Sequence, residues 1–250
     1  MSHTIAICTH KGGTGKTVTA LALAAGIARA GQRCLLIDLD PQGHTTIGLD
    51  VEIDGPSLKE FFERHPTLPL REVTRRAPHL ANLHIAPADL RLAWTAEGLS
   101  GRPKKEELLK RSLKQVAADY DSILIDTPPS LGVLTQNALT AADFLLIPTV
   151  PEARATNAIL DLLELVQVLK GDSFDAYRIL LTRVDGRKSR TNHAVLEALA
   201  PWKDKLLQTV IPQAESLNQA QMAGQDIFRF DPKSTGAEAY RQLHQELLRL

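Results

Sequence analysis

Thr4-Ile5-Ala6-Ile7-Cys8-Thr9-His10-Lys11-Gly12-Gly13-Thr14-Gly15-Lys16-Thr17 reads as a short β-branched apolar run, a glycine-rich turn, and the head of an alanine- and leucine-rich helical stretch. In such a turn the glycines let successive backbone N–H groups converge on an anion, and the helix N-terminus adds its positive dipole end. Lys16 supplies a point charge for outer phosphates, and the Thr17 hydroxyl is a Mg²⁺ ligand type. Three glycines alone would also suit a strand–helix turn with no ligand. Gly-Lys-Thr between a strand and a helix is what points to phosphate. Where the general pattern has a first glycine this chain has His10, and the next residue is a second lysine, Lys11. Two lysines around one empty nest repel each other, and a polyanion between them removes the repulsion.

Outward from this loop, short apolar runs alternate with longer helical stretches. Strands are expected at Thr4–Thr9, Cys34–Asp38, Leu83–Ala86, Ser122–Asp126, Phe144–Thr149, Arg178–Thr182 and Leu207–Ile211. Helices are expected at Lys16–Ala30, Ser57–Arg64, Lys104–Ala118, Glu152–Lys170, Arg190–Leu199 and Thr235–Leu250. Strands apolar at nearly every position are buried on both faces, as in a parallel sheet. The alternation implies an α/β fold with a doubly wound, mostly parallel twisted sheet and helices on both faces. No repeat or composition break divides residues 1–250, so one domain is expected. The stretch from Gly48 to Gly101, with five prolines, has no clear period.

Composition bounds the rest. The chain has 250 residues, 44% hydrophobic, enough for a core that needs no staples. Lys plus Arg number 29, as do Asp plus Glu, so an anionic partner must be met by a local patch. Cys8 and Cys34 lie in apolar runs that read as neighbouring buried strands, too few for a disulfide framework or a zinc or iron–sulfur centre. The start of the chain does not read as a signal peptide, and the apolar stretches fall short of a membrane span. A cytoplasmic protein is expected.

Two further motifs end in acids. Leu35-Leu36-Ile37-Asp38-Leu39-Asp40-Pro41-Gln42-Gly43 puts two carboxylates at the carboxyl end of a strand, the edge where open α/β sheets bind ligands. Tyr120-Asp121-Ser122-Ile123-Leu124-Ile125-Asp126-Thr127-Pro128-Pro129-Ser130 is a second strand ending in an acid. A solvated turn or a capping aspartate would explain either motif alone; together with the glycine loop they are far more specific.

Lys11-Gly12-Gly13-Thr14-Gly15-Lys16-Thr17 resembles the deviant Walker A loop of the ParA/MinD family of P-loop ATPases, and the likeness extends over nearly the whole chain. The resemblance implies ATP and Mg²⁺ as ligands, held by Lys11, Gly12, Gly13, Thr14, Gly15, Lys16, Thr17 and Val18. It makes Lys16 the lysine acting within its own subunit and Lys11 the one reaching a partner's phosphates in an ATP sandwich dimer. It makes Asp40, in D-x-D-P-Q-G, the residue that orients the attacking water. It assigns Asp126 to Mg²⁺ with Thr17, and Asp38 to the supporting network. Asp185 and Pro212 fall where the family contacts the base, although Ala214 stands where asparagine is frequent.

The same resemblance implies a homodimer on ATP binding, non-specific binding to nucleoid DNA, and a ParB-like or adaptor protein that stimulates hydrolysis, for partition of a plasmid, chromosome or other cargo. Basic residues between Ala176 and Lys205 outnumber acids. Arg183, Arg187, Lys188, Arg190, Lys203 and Lys205, with Arg229 and Lys233, are therefore candidate DNA contacts, though a solvated charged face is the plain alternative. Gln213-Ala214-Glu215-Ser216 departs from the basic stretch that many relatives have there. A MinD-like membrane-associated positioning ATPase is the alternative. The mixed charges on the last helix fit core packing better than a lipid surface, so no membrane partner is expected. The family's iron–sulfur carriers would need cysteines in the second half, which has none. Its dethiobiotin- or cobyrinate-type synthetases share the loop, but the Asp-Pro-Gln-Gly and Thr-Pro-Pro-Ser segments fit the partitioning branch better.

Overall fold

A computed structural model describes residues 3–152 and 155–250. Its strands are β1 (His3–Ile7), β2 (Cys34–Asp38), β3 (Arg75–Arg76), β4 (Leu83–Ala86), β5 (Ser122–Asp126), β6 (Phe144–Thr149), β7 (Tyr177–Val184) and β8 (Leu206–Pro212). They form one sheet in the order β3-β4-β2-β5-β1-β6-β7-β8, parallel throughout except for the short β3 on β4. The helices are α1 (Lys16–Arg29), α2 (His44–Gly48), α3 (Leu58–Glu63), α4 (Arg91–Gly98), α5 (Leu108–Val116), α6 (Val133–Ala141), α7 (Ala155–Lys170), α8 (Ser189–Ala198), α9 (Glu215–Met222), α10 (Ile227–Phe230) and α11 (Thr235–Leu247).

Alternating strand residues feed two cores. Ala6, Leu35, Ile37, Ile123, Ile125, Leu145 and Ile147 face the layer of α3 to α8, while Ile7, Leu36, Leu124, Leu146 and Leu180 face α1 and α9 to α11. This is the doubly wound arrangement expected from the runs of Val, Ile and Leu. The helix α11 buries Ala237, Tyr240 and Leu243, and the Tyr240 hydroxyl lies 3.0 Å from Thr19 Oγ1 of α1.

The structure corrects several expectations. Cys8 and Cys34 do not sit on neighbouring strands, because β5 pairs with both β1 and β2 and lies between them. Both thiols are buried; burial pushes the Cys8 thiol up to about 12. The expected helix from Lys104 begins only at Leu108, preceded by a 3-10 turn. Of the helix expected from Glu152, Ala153 and Arg154 lie outside the described residues. The irregular stretch contains the expected α3 and β4 together with β3 and α4, which are too short to register as a period.

Candidate active site

Every parallel strand points its carboxyl end at one edge of the sheet, and the motif loops leave from the adjacent strands β2, β5 and β1. The loop after β1 turns through Gly13 (φ 73) and Gly15 (φ 83), left-handed conformations that strain any side-chain-bearing residue. Gly15 is the N-cap of α1, no side chain caps that end, and the first turn carries no acid. Its N-terminal N–H groups therefore have no side-chain acceptor, the condition for anion binding. Two neighbours at the end of β7 brace the loop: Thr182 Oγ1 donates to Thr14 O (2.7 Å), and Arg183 Nη1 donates to Gly13 O (2.9 Å).

Lys16 is buried, its ammonium 3.4 Å from Lys11 O. Burial lowers its pKa, opposed by the charges of Asp126 and Asp40. Asp126, fully buried at the end of β5, accepts from Thr17 Oγ1 (2.8 Å) and Thr45 Oγ1 (2.6 Å), both at Oδ2. Its Oδ1 is buried with no partner. Burial raises this carboxyl to about 6. An orphaned carboxylate oxygen beside a threonine hydroxyl fits a hard divalent cation, which takes oxygen ligands. The described residues contain no group of three or more acids, histidines or cysteines that could hold a metal alone. That suits Mg²⁺, which is usually held by one or two protein oxygens together with phosphates.

The acids of the second motif diverge. β2 ends at Asp38, so the two carboxylates are not carried by one continuous strand. Asp38 is fully buried and accepts from Thr46 N (2.9 Å) and Thr46 Oγ1 (2.8 Å) at Oδ2, and from Asp40 N (3.2 Å) at Oδ1. Burial first, then the Asp126 charge, holds it well above the usual carboxylate range. Asp40, 7% exposed, accepts only from Gln42 N (3.0 Å), through Oδ1. Its other oxygen takes no hydrogen bond among the described residues, and the side chain lines the cleft.

That cleft, about 920 Å³, is lined by residues 12–18, Asp40, Gln42, His44, Asp185, Arg187 and Pro212. The structure thus brings together the glycine loop, Val18, Asp40, Asp185 and Pro212, with Asp126 bonded to Thr17 behind the loop. Asp185 is paired with Arg187 (Nη2–Oδ2 2.9 Å), which holds its carboxyl down at about 2.

Lys11 is held elsewhere. Its ammonium lies 2.8 Å from Glu152 Oε2, just past β6, and this contact lowers the pKa of the glutamate. Next to it, His10 Nε2 is 3.4 Å from Asp161 of α7. The repulsion expected between Lys11 and Lys16 is thus relieved by an acid outside the loop. Sequence reasoning missed Glu152, which is 141 residues from Lys11 and has no local signal. It also missed Thr45 and Thr46, whose place directly after Gln42-Gly43-His44 was the available clue.

The basic candidates do not form one surface. Arg183 is engaged with the glycine loop. Arg187, Lys188 and Arg190 are exposed around the start of α8 beside the cleft. Lys203 and Lys205 lie beyond its far end, a ten-residue helix away or about 15 Å. Lys205 is also paired with Asp175 (2.6 Å) and stacked on Tyr177. Arg229 (in α10) and Lys233 (before α11) are exposed on a third segment.

A family model described as an AAA domain matches residues 2–179. The sporulation initiation inhibitor protein Soj of Bacillus subtilis is 36% identical over 99% of this chain and 98% of its own length. The chromosome-partitioning ATPase Soj of Thermus thermophilus is 35% identical over 98% of this chain and 94% of its own. Cobyrinic acid a,c-diamide synthase of Mycobacterium smegmatis, solved with a bound ATP analogue and magnesium, superposes with a TM-score of 0.83 at 30% identity, covering 100% of this chain and 95% of that one.

Proposed function

Since the chain belongs to the ParA/MinD family of deviant Walker A ATPases and is an ATPase of the partitioning type, we propose that it is a dimer switch timed by ATP, acting in the cytoplasm on nucleoid DNA to position a cargo. One observation carries this reading: the two loop lysines do different things in a single copy. Lys16 lies inside the cleft, while Lys11 leans out onto Glu152. An amine that meets phosphate only when a second copy arrives gives ATP different affinities for monomer and dimer, the requirement for a ligand to drive association.

In this mechanism the loop amides and the N-terminus of α1 hold the triphosphate, and Lys16 neutralises its outer oxygens. Thr17 and Asp126 would hold Mg²⁺, which when bound spreads the phosphate charge. Asp38 fixes the backbone at Asp40 and Thr46, and the free oxygen of Asp40 orients water. Asp185 and Pro212 flank the base. Hydrolysis removes the charge that bridges the two copies, and the pair loosens. The exposed group Arg187, Lys188 and Arg190 meets DNA phosphates in the dimer. Lys203, Lys205, Arg229 and Lys233 contribute at most to the surrounding field. A ParB-like or adaptor protein would set the rate of hydrolysis. The buried apolar stripe of α11 speaks against the membrane alternative, and no described helix is long and apolar enough to span a bilayer. The test is Lys11→Ala: ATP should still bind, but light scattering after gel filtration should show monomers only. Dimers of undiminished stability in ATP would overturn the proposal.

A further inference from the structure

A net charge of zero means that an excess of cations in one place is matched by acids elsewhere, and residues 102–114 are one such place. Arg102, Lys104, Lys105, Lys110, Arg111 and Lys114 stand there against Glu106 and Glu107. The segment supplies a 3-10 turn, Lys105–Glu107, and most of α5, and none of it lines the ATP cleft. Leu108, Leu109, Leu113 and Val116 bury the apolar face of α5, so Lys110, Arg111 and Lys114 are turned out to solvent.

The two acids do not neutralise this group. Glu107 pairs with Arg111 (2.6 Å) and also feels Lys104 and Lys110. Lys104, Lys110 and Lys114 make no ion pair among the described residues. Arg102 donates to two carbonyls, Phe62 O (3.1 Å) and His65 O, which fixes its guanidinium without cancelling its charge. The positive field reaches both flanks. On one, burial and then the charges of Arg102 and Arg111 lower the pKa of the His65 imidazole. On the other, burial and then Lys110 lower that of Lys170, with Asp143 opposing. Between His65 and α5 a recess of about 240 Å³ is lined by Arg102, Arg111, Ser112 and Gln115, room for one phosphate group.

What the patch lacks narrows its partner. Among the described residues no large apolar side chain is exposed between Trp94 and Leu160, so nothing here would enter a lipid surface. Residues 95–119 contain no aromatic side chain on which the bases of a single strand could stack. Charge alone remains, which is the footprint of a duplex backbone. The patch is also distinct from the one at α8. Helices α6 and α7 stand between them in the same layer, three helix spacings or about 25–30 Å. The exposed acids Asp161 and Glu164 of α7 interrupt the positive surface on the way. We propose that the outer face of α5 is a second surface for the phosphate backbone of a nucleic-acid duplex, open in every nucleotide state. No part of it belongs to the cleft or waits for a second copy, so it stands whether or not α8 meets DNA in an ATP dimer.

The test is fluorescence anisotropy of a short random-sequence duplex, as DNA and as RNA, with the full chain in ADP and Mg²⁺ and again in ATP and Mg²⁺. In ADP both duplexes should bind, since only backbone charge is read, with Kd of about 10⁻⁴–10⁻⁶ M and a steep dependence on salt. Lys110→Gln with Lys114→Gln should flatten the log–log slope in ADP by about 1.8, at 0.9 per lost phosphate contact, and Lys110→Arg with Lys114→Arg should keep it. Arg187→Ala with Arg190→Ala should leave the ADP series unchanged and reduce only what ATP adds. If ATP adds nothing, the role given to α8 fails while that of α5 stands. All four side chains are exposed, so urea midpoints should match that of the unaltered chain. No duplex binding in ADP, an unaltered slope in the glutamine variant, or binding confined to single strands or to phosphatidylglycerol vesicles would each overturn the proposal.

Discussion

Replacing Glu152 by glutamine should make ATP-dependent dimers tighter, not weaker. In the single copy the glutamate holds Lys11 at 2.8 Å, with side chains 30% and 63% exposed for lysine and glutamate. An ion pair this exposed is worth about 0.2–1 kcal/mol. If the proposed dimer closes, one such pair breaks in each copy, so the penalty removed is about 0.4–2 kcal/mol, a two- to thirtyfold gain in the association constant, roughly. The amide keeps the shape and an acceptor, so the fold itself should change by less than about 0.5 kcal/mol. Sedimentation equilibrium in ATP and Mg²⁺ would measure this, with Asp40→Ala in both chains so that hydrolysis does not drain the dimer. The gain should shrink as salt screens the pair. Dimers unchanged or weaker at low salt would refute the idea that Glu152 competes with the partner's phosphates for Lys11.

Four other outcomes follow from the same geometry. Arg187→Ala with Arg190→Ala should flatten the log–log dependence of DNA affinity on salt by about 0.9 per lost phosphate contact, and an unaltered slope in a filter-binding series would remove these residues from the interface. Asp126 in the fold titrates near 6, above its ordinary value. The folded chain therefore keeps a proton that the unfolded chain has lost, and stability falls as pH rises through that window. Mg²⁺ needs the ionised form, so its affinity for the nucleotide complex should drop below about pH 6, with calorimetric titrations either side of that value as the check. Gly43→Ala should destabilise by about 1–3 kcal/mol in urea melts, since φ is 65 and the added carbon would lie 2.7 Å from Ala88 O; an unshifted midpoint would count against that strain.

The glycine loop and the two strands that end in acids were legible because each is a local pattern of apolar run and turn. The strand cores were legible for a related reason: β2, β4, β5 and β6 are short apolar runs, and their observed bounds coincide with those runs. What the sequence hid is what the fold brings from afar. The insertion of β5 between β1 and β2 leaves no mark on either neighbour. The partner of Lys11 follows the neighbouring strand β6, close in the sheet but 141 residues away in the chain. The helix that divides the basic residues between Ala176 and Lys205 was expected, but nothing local showed that Arg183 is engaged with Gly13. Within residues 48–101 the helix that buries Phe61 and Phe62 was expected, whereas β3 and α4 are held by tertiary packing and no local period announces them.

The position of β1 in the sheet also governs how the chain can leave the ribosome. Among the described residues its strand neighbours are β5 and β6, so the segment that ends in the glycine loop has no ladder to join until Ser122 and its successors are made. For more than a hundred residues of synthesis, several seconds at about 5–20 residues per second, an apolar strand waits with both edges bare. A nascent chain stalled before residue 122 should therefore be a strong client of holdase chaperones, and one stalled after β6 a weak one.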